Sequence, residues 1–153
     1  MNTTRKSKAI LTVWHAGNKG KTETLREVAN LLLQTFPQYS SIYPVPSAVP
    51  KTGDFRIVVK INGRIVAVES QGDPKTDLKG RLLDLANNFG ADVIFCSTRT
   101  KGDTVAAVED LAVSNGFEVI WTSTYQTNNN HNIVNNLKAI HIIELMRRLA
   151  FIS

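Results

Sequence analysis

Trp14-His15-Ala16-Gly17-Asn18-Lys19-Gly20-Lys21-Thr22 is the stretch on which the reading of this chain turns. An apolar run, Ile10-Leu11-Thr12-Val13-Trp14, precedes the glycine-rich turn, and Leu25, Val28, Ala29 and Leu32 follow it at helical spacing. The pattern predicts a strand over residues 9–14, a tight turn, and a helix over residues 21–36. Successive backbone N–H groups in such a turn wrap an anion. The helix start adds unpaired N–H groups and the positive end of its dipole. Gly20 lets the backbone approach phosphate oxygens, and Lys21 supplies a point charge for the β/γ-phosphates. The Thr22 hydroxyl suits Mg²⁺, which keeps most of its other ligands as water and phosphate oxygen. The bland alternative is a basic turn that only caps a helix; the strand before and the amphipathic helix after favour phosphate.

Residues 15–22 resemble the Walker A loop of P-loop NTPases, G-x-x-x-x-G-K-[ST]. Gly17, Gly20, Lys21 and Thr22 fall on the family's positions, while His15 stands where the family has glycine. The resemblance implies a phosphate cradle made by His15, Gly17, Asn18, Lys19, Gly20, Lys21 and Thr22. The His15 side chain would crowd that loop or point at the phosphates as an extra donor.

At 153 residues the chain suggests one domain, residues 1–153. Its 42% hydrophobic and 20% charged content is ordinary for a soluble globular protein. No apolar run approaches a membrane span, and the basic tail, residues 1–8, lacks the apolar core of a secretory signal. The single cysteine, Cys96, lies in an apolar run, which fits a buried inert thiol in a reducing cytoplasm. A net charge of +5 suits anionic ligands. The basic residues form no aromatic-interleaved stripe, so nucleic acid is an open partner but not a required one.

Residues 37–54 contain four prolines, Pro37, Pro44, Pro46 and Pro50, and read as a long connection. Residues 55–61 and 64–69 form a hairpin through Asn62-Gly63. Its first arm alternates polar and apolar residues, as an edge strand does, and its second, Ile65-Val66-Ala67-Val68, is apolar on both faces, as a central strand is. A helix over 77–89, a strand over 92–97, a helix from the expected N-cap Asp103 to Gly116, a strand over 117–123 and a C-terminal helix over 133–151 complete the chain. This alternation predicts an α/β fold with three layers: a mainly parallel five-stranded sheet, one antiparallel edge strand, and helices on both faces. The expected strand order is 2-3-1-4-5, which resembles Ras-like GTPases over roughly residues 9–125.

Ligands in such sheets bind at the carboxyl ends of the strands. Glu69 ends the strand expected beside the phosphate-loop strand, and Glu69-Ser70-Gln71-Gly72 resembles the D-x-x-G region of P-loop GTPases with Glu in place of Asp. The resemblance implies that Glu69 serves the metal or a water, that Gly72 offers an N–H to the γ-phosphate, and that Gln71 positions water; Asp73 lies in the same turn. Thr52 and Asp54 lie where the resemblance places a metal-facing switch. After the fourth strand, Arg99 would stabilise charge on a transferring phosphoryl group, with Lys101 nearby. Thr100-Lys101-Gly102-Asp103 has the letters of a guanine-reading motif but follows the wrong strand, so ATP is preferred to GTP.

These residues point to a Mg²⁺-dependent hydrolase of a nucleoside triphosphate that can also act as a nucleotide-driven switch. A small nucleotide or metabolite kinase and a non-catalytic nucleotide-binding module are the competing readings. In the last helix, Ile133, Leu137 and Ile140 occupy one side and Ile142, Leu145, Met146 and Leu149 the other, which suggests a contact with a second copy or another protein.

Overall fold

Five consecutive buried residues make β1, Lys8–Trp14, a central strand. The computed structural model describes residues 7–14, 20–73 and 75–153. Within them, β1 leads to α1, Lys21–Thr35, and then β2, Ser40–Tyr43. The hairpin β3, Arg56–Ile61, and β4, Arg64–Glu69, follows, with Asn62 and Gly63 both at positive φ in its turn. Next come α2, Leu78–Leu83, continued by a π-helical turn, Asp84–Asn88, and then β5, Val93–Thr98. The chain ends with α3, Asp103–Asn115, β6, Phe117–Thr122, and α4, His131–Arg148. This is an α/β architecture with one six-stranded mixed sheet.

The strand order is β2-β3-β4-β5-β1-β6. The strands β4, β5, β1 and β6 run parallel, and β3 is antiparallel to both its neighbours. Two features correct the expected order. First, β5 stands between β4 and β1, so the strand ending at Glu69 is not the neighbour of β1. All six residues of β5 are buried. A strand apolar on both faces needs a neighbour on each side and helices above and below. The half-exposed β6 takes the edge beside β1 instead.

Second, the proline-rich segment supplies a strand, so β3 is not the edge. Ser40 pairs with Lys60 and Ser41 with Val59 before a bulge near Tyr43. Ser40-Ser41-Ile42-Tyr43 is the proline-free interval between Pro37 and Pro44, and its edge position tolerates the prolines that bound it.

Alternation along the strands divides the core. Leu11, Val13, Val68 and Phe95 pack on one face with Leu25, Val28 and Leu32 of α1 and with Ala139, Ile142 and Met146 of α4. Ile10, Ala67, Ile94 and Cys96 pack on the other face with Leu82 of α2 and Val108 of α3. Each fully buried aliphatic side chain contributes about 1.5–3 kcal/mol relative to exposure. The chain thus leaves β1 toward one face and leaves β5 toward the other. Their carboxyl ends flank the crevice at which open α/β sheets bind ligands.

Asp103 is the first residue of α3 rather than its cap; Gly102 precedes the helix. The α4 stripe turned to the core is Asn135, Ala139, Ile142, Ile143 and Met146. Ile133, Leu137 and Ile140 are exposed, and so are Leu145 and Leu149. Small Ala139 and polar Asn135 belong to the buried stripe, and an apolar pattern alone does not count Asn135. Among the described residues no helix is long and apolar enough to cross a membrane.

Candidate functional site

Gly20 immediately precedes α1 with φ 77°, a left-handed conformation that glycine adopts without the steric cost of a Cβ. The helix therefore begins at Lys21 with Thr22 second, and the Thr24 N–H donates to the Gly20 carbonyl at 2.9 Å. His15, Gly17, Asn18 and Lys19 of the expected cradle lie outside the described residues, as does most of the basic tail.

Lys21 is 3% exposed, with its side chain turned into the crevice. Its Nζ donates to the Thr98 carbonyl at 3.3 Å and toward Asp73 Oδ1 at 3.5 Å. Burial lowers the Lys21 pKa from its ordinary value; Asp73 opposes that shift and Arg99 adds to it. Thr98 is held in turn by Thr12, their hydroxyls 3.1 Å apart across β1 and β5. Arg99, the next residue, donates from Nε to the same Asp73 oxygen at 3.3 Å. The Arg99 backbone N–H is capped by the Thr104 hydroxyl of α3 at 3.0 Å. Two cations from separate elements thus converge on one half-exposed carboxylate.

Gly72 sets the position of that carboxylate. A Cβ built on Gly72 would stand 1.8 Å from the Ser97 carbonyl oxygen, so the turn after β4 lies directly against the end of β5. The Ser97 hydroxyl donates to the Ser70 carbonyl at 3.2 Å and fastens the same junction. Tight packing of this turn brings Asp73 across β5 to the lysine.

Glu69 is placed differently from Asp73. Its carboxylate is 1% exposed and accepts from Arg56 Nε at 2.7 Å. Arg56 also donates to Asp84, at the end of α2. Glu69 alternates with Val68, so it faces α2 and not α1. The structure therefore brings Lys21, Arg99 and Asp73 together and groups Glu69 with Arg56 and Asp84. Asp54 accepts from the Ser70 hydroxyl at 3.1 Å, Thr52 is exposed on the proline-rich segment, and Lys101 is exposed in the loop after β5.

Besides a smaller cleft of about 220 Å³ lined by Asp73, Asp103 and Thr104 among others, two larger clefts border this centre among the described residues. One, of about 550 Å³, lies beyond the 70–73 turn and is lined by Arg56, Glu69, Gln71, Arg81 and Asp84 among others. Gln71 Oε1 is buried without a hydrogen-bond partner among the described residues. The other, of about 620 Å³, opens beside Gly20, between the segment after β6 and the start of α4. Sequence reasoning missed both. The first needs the Arg56–Glu69 pairing across the hairpin, and the second needs the approach of α4 to α1. The only signal for the second was the polar composition of residues 124–132.

Among the described residues no group of three or more His, Cys, Asp or Glu side chains is arranged to hold a metal by itself. Mg²⁺ commonly takes only one or two protein ligands and completes its shell with phosphate and water, and the Thr22 hydroxyl and Asp73 carboxylate are of that chemistry. Cys96 is buried, and desolvation pushes its thiol up to about 12, which makes it unreactive. Compared with protein-family models, curated proteins and solved structures, the chain matches none.

Proposed function

We propose that this chain is a P-loop protein that binds a nucleoside triphosphate, ATP in preference to GTP, and hydrolyses it with Mg²⁺. The supporting observation is the meeting of Lys21, Arg99 and Asp73 at the carboxyl ends of β1 and β5, beside a helix that starts from a left-handed glycine. In this reading the N–H groups at the start of α1 and the Lys21 ammonium take the β- and γ-phosphates. Arg99 stabilises charge that develops on the transferred phosphoryl oxygens. Thr22 and Asp73 hold the Mg²⁺, which supplies further charge neutralisation when bound. Glu69, read from the sequence as the metal or water residue, instead anchors the turn that carries Asp73 through its ion pair with Arg56.

Phosphate release from ATP and GTP in the presence of Mg²⁺ tests this function. Lys21→Ala should abolish release, and Arg99→Ala should slow it on the order of 10²-fold. Wild-type release no faster than that of Lys21→Ala would remove the hydrolase assignment.

One observation favours a second reading. Gln71, which lines the cleft beyond the 70–73 turn, has a buried Oε1 without a partner among the described residues. A kinase would place its phosphoryl acceptor there. Transfer of label from ATP to nucleosides, nucleotides or small polyols, faster than transfer to water, would select that reading.

A further inference from the structure

The cleft beside Gly20 is continuous with the start of α1, because Gly20 lines both. Its volume of about 620 Å³ falls within the range of small-molecule sites, roughly 300–1,000 Å³. Asn135 forms its floor and is 8% exposed. The Asn135 Oδ1 accepts from the Thr24 hydroxyl at 3.4 Å, which orients the carboxamide. Its Nδ2 lies 3.9 Å from the point where a Gly20 Cβ would stand, at the edge of the phosphate loop.

The opposite wall is Tyr125, whose ring is fixed from several sides. Its hydroxyl is 2.7 Å from His141 Nδ1, and the Lys138 ammonium lies 4.8 Å from the ring centroid. Tyr125 is 41% exposed and lines the cleft. Gln126, Thr127, Asn128 and His131 also line the space, so three of its lining side chains are carboxamides. Among the described residues the lining contains no Asp, Glu, Arg or Lys.

We infer that this cleft holds the base and ribose of the nucleotide and selects adenine over guanine. The assignment rests on the phosphate-loop reading and extends it. A carboxamide offers one acceptor and one donor side by side, which matches the N6 amino group and ring nitrogen of adenine; it pairs with guanine as well, so the selection rests on the charged groups that the described lining lacks. Guanine presents its O6 and N7 acceptors to Arg or Lys, and its N1 and N2 donors call for a carboxylate; the described lining provides neither. Tyr125 supplies an aromatic surface for the base, already held in place and so with little ordering left to occur on binding.

Binding of ATP, GTP and inorganic tripolyphosphate, each measured by calorimetry with Mg²⁺, tests the inference and separates it from the phosphate site. The expected result is ATP tighter than GTP by about tenfold or more, consistent with one well-made base contact. Tyr125→Ala should weaken ATP and leave tripolyphosphate unchanged. Asn128→Asp, at an exposed position that does not burden folding, should narrow the ATP-to-GTP ratio. Equal affinities for all three probes, or a ratio unmoved by both variants, would overturn the base site while leaving the phosphate site standing. Failure of all three, tripolyphosphate included, would overturn both.

Discussion

The Lys21 ammonium lies 3.5 Å from Asp73 Oδ1, and Asp73 also receives Arg99 at 3.3 Å. One carboxylate therefore engages both cations that the proposed function assigns to a triphosphate, and on that proposal it would compete with phosphate for them. Asp73→Asn removes the competing charge. Metal-free binding of inorganic tripolyphosphate to Asp73→Asn should tighten by about two- to fivefold, the scale of a partly exposed ion pair. Mg²⁺-dependent phosphate release should fall in the same variant. Unchanged tripolyphosphate affinity, measured by calorimetry, would show that Asp73 does not gate the site.

The pKa of Lys21 is lowered, chiefly by burial. Its charge is therefore lost at a lower pH than that of a free lysine, whose ordinary value is 10.5. Between the lowered value and 10.5 the unfolded chain still holds a proton that the folded chain has released. The Lys21 contribution to stability therefore rises with pH through that window and is least favourable below it. Anion affinity moves the opposite way. Tripolyphosphate binding should weaken as pH rises, beginning below 10.5, and Lys21→Arg should flatten the profile because arginine stays charged. A wild-type profile as flat as that of Lys21→Arg would contradict this account.

Gly72 has no room for a side chain, because the Ser97 carbonyl oxygen lies 1.8 Å from the point a Cβ would occupy. Gly72→Ala should destabilise the fold by about 1–3 kcal/mol, the usual cost of overpacking. It should also move Asp73 away from Lys21. Urea denaturation reads the first effect and metal-free tripolyphosphate affinity the second. A variant as stable as wild type would mean that the turn relaxes freely.

The Glu69 carboxylate is buried, and Arg56 is its cationic partner at 2.7 Å. Arg56→Ala leaves that charge unpaired and should cost about 3–5 kcal/mol in chemical denaturation. Glu69→Gln in the same chain should recover a large part of the loss. If the double variant is no more stable than Arg56→Ala, the pair is not what Arg56 contributes.

Much of the fold was legible because its elements are punctuated. Asn62-Gly63 marked the hairpin, Gly116 ended α3, and apolar spacing located α1. Strand order was not legible in the same way. Hydrophobicity marks β4 and β5 alike as central and does not say which of them adjoins β1; in the fold β5 does, with α2 and α3 packed together on one face of the sheet. At the candidate site, Gly20, Lys21 and Arg99 were singled out by motif and strand ends. The acid beside the lysine was not distinguished. Glu69 and Asp73 both follow β4, and the choice between them depends on an arginine across the hairpin and on a glycine packed against β5. The Asn135 cleft lies between segments more than a hundred positions apart, which no local pattern joins.

The most direct test of the central claim is calorimetry with a non-hydrolysable ATP analogue and Mg²⁺, comparing wild type with Lys21→Ala. The account predicts saturable one-to-one binding to wild type, weakened by about tenfold or more when the charged hydrogen bonds of Lys21 are removed. Absence of binding to wild type, or equal affinity in Lys21→Ala, would contradict it.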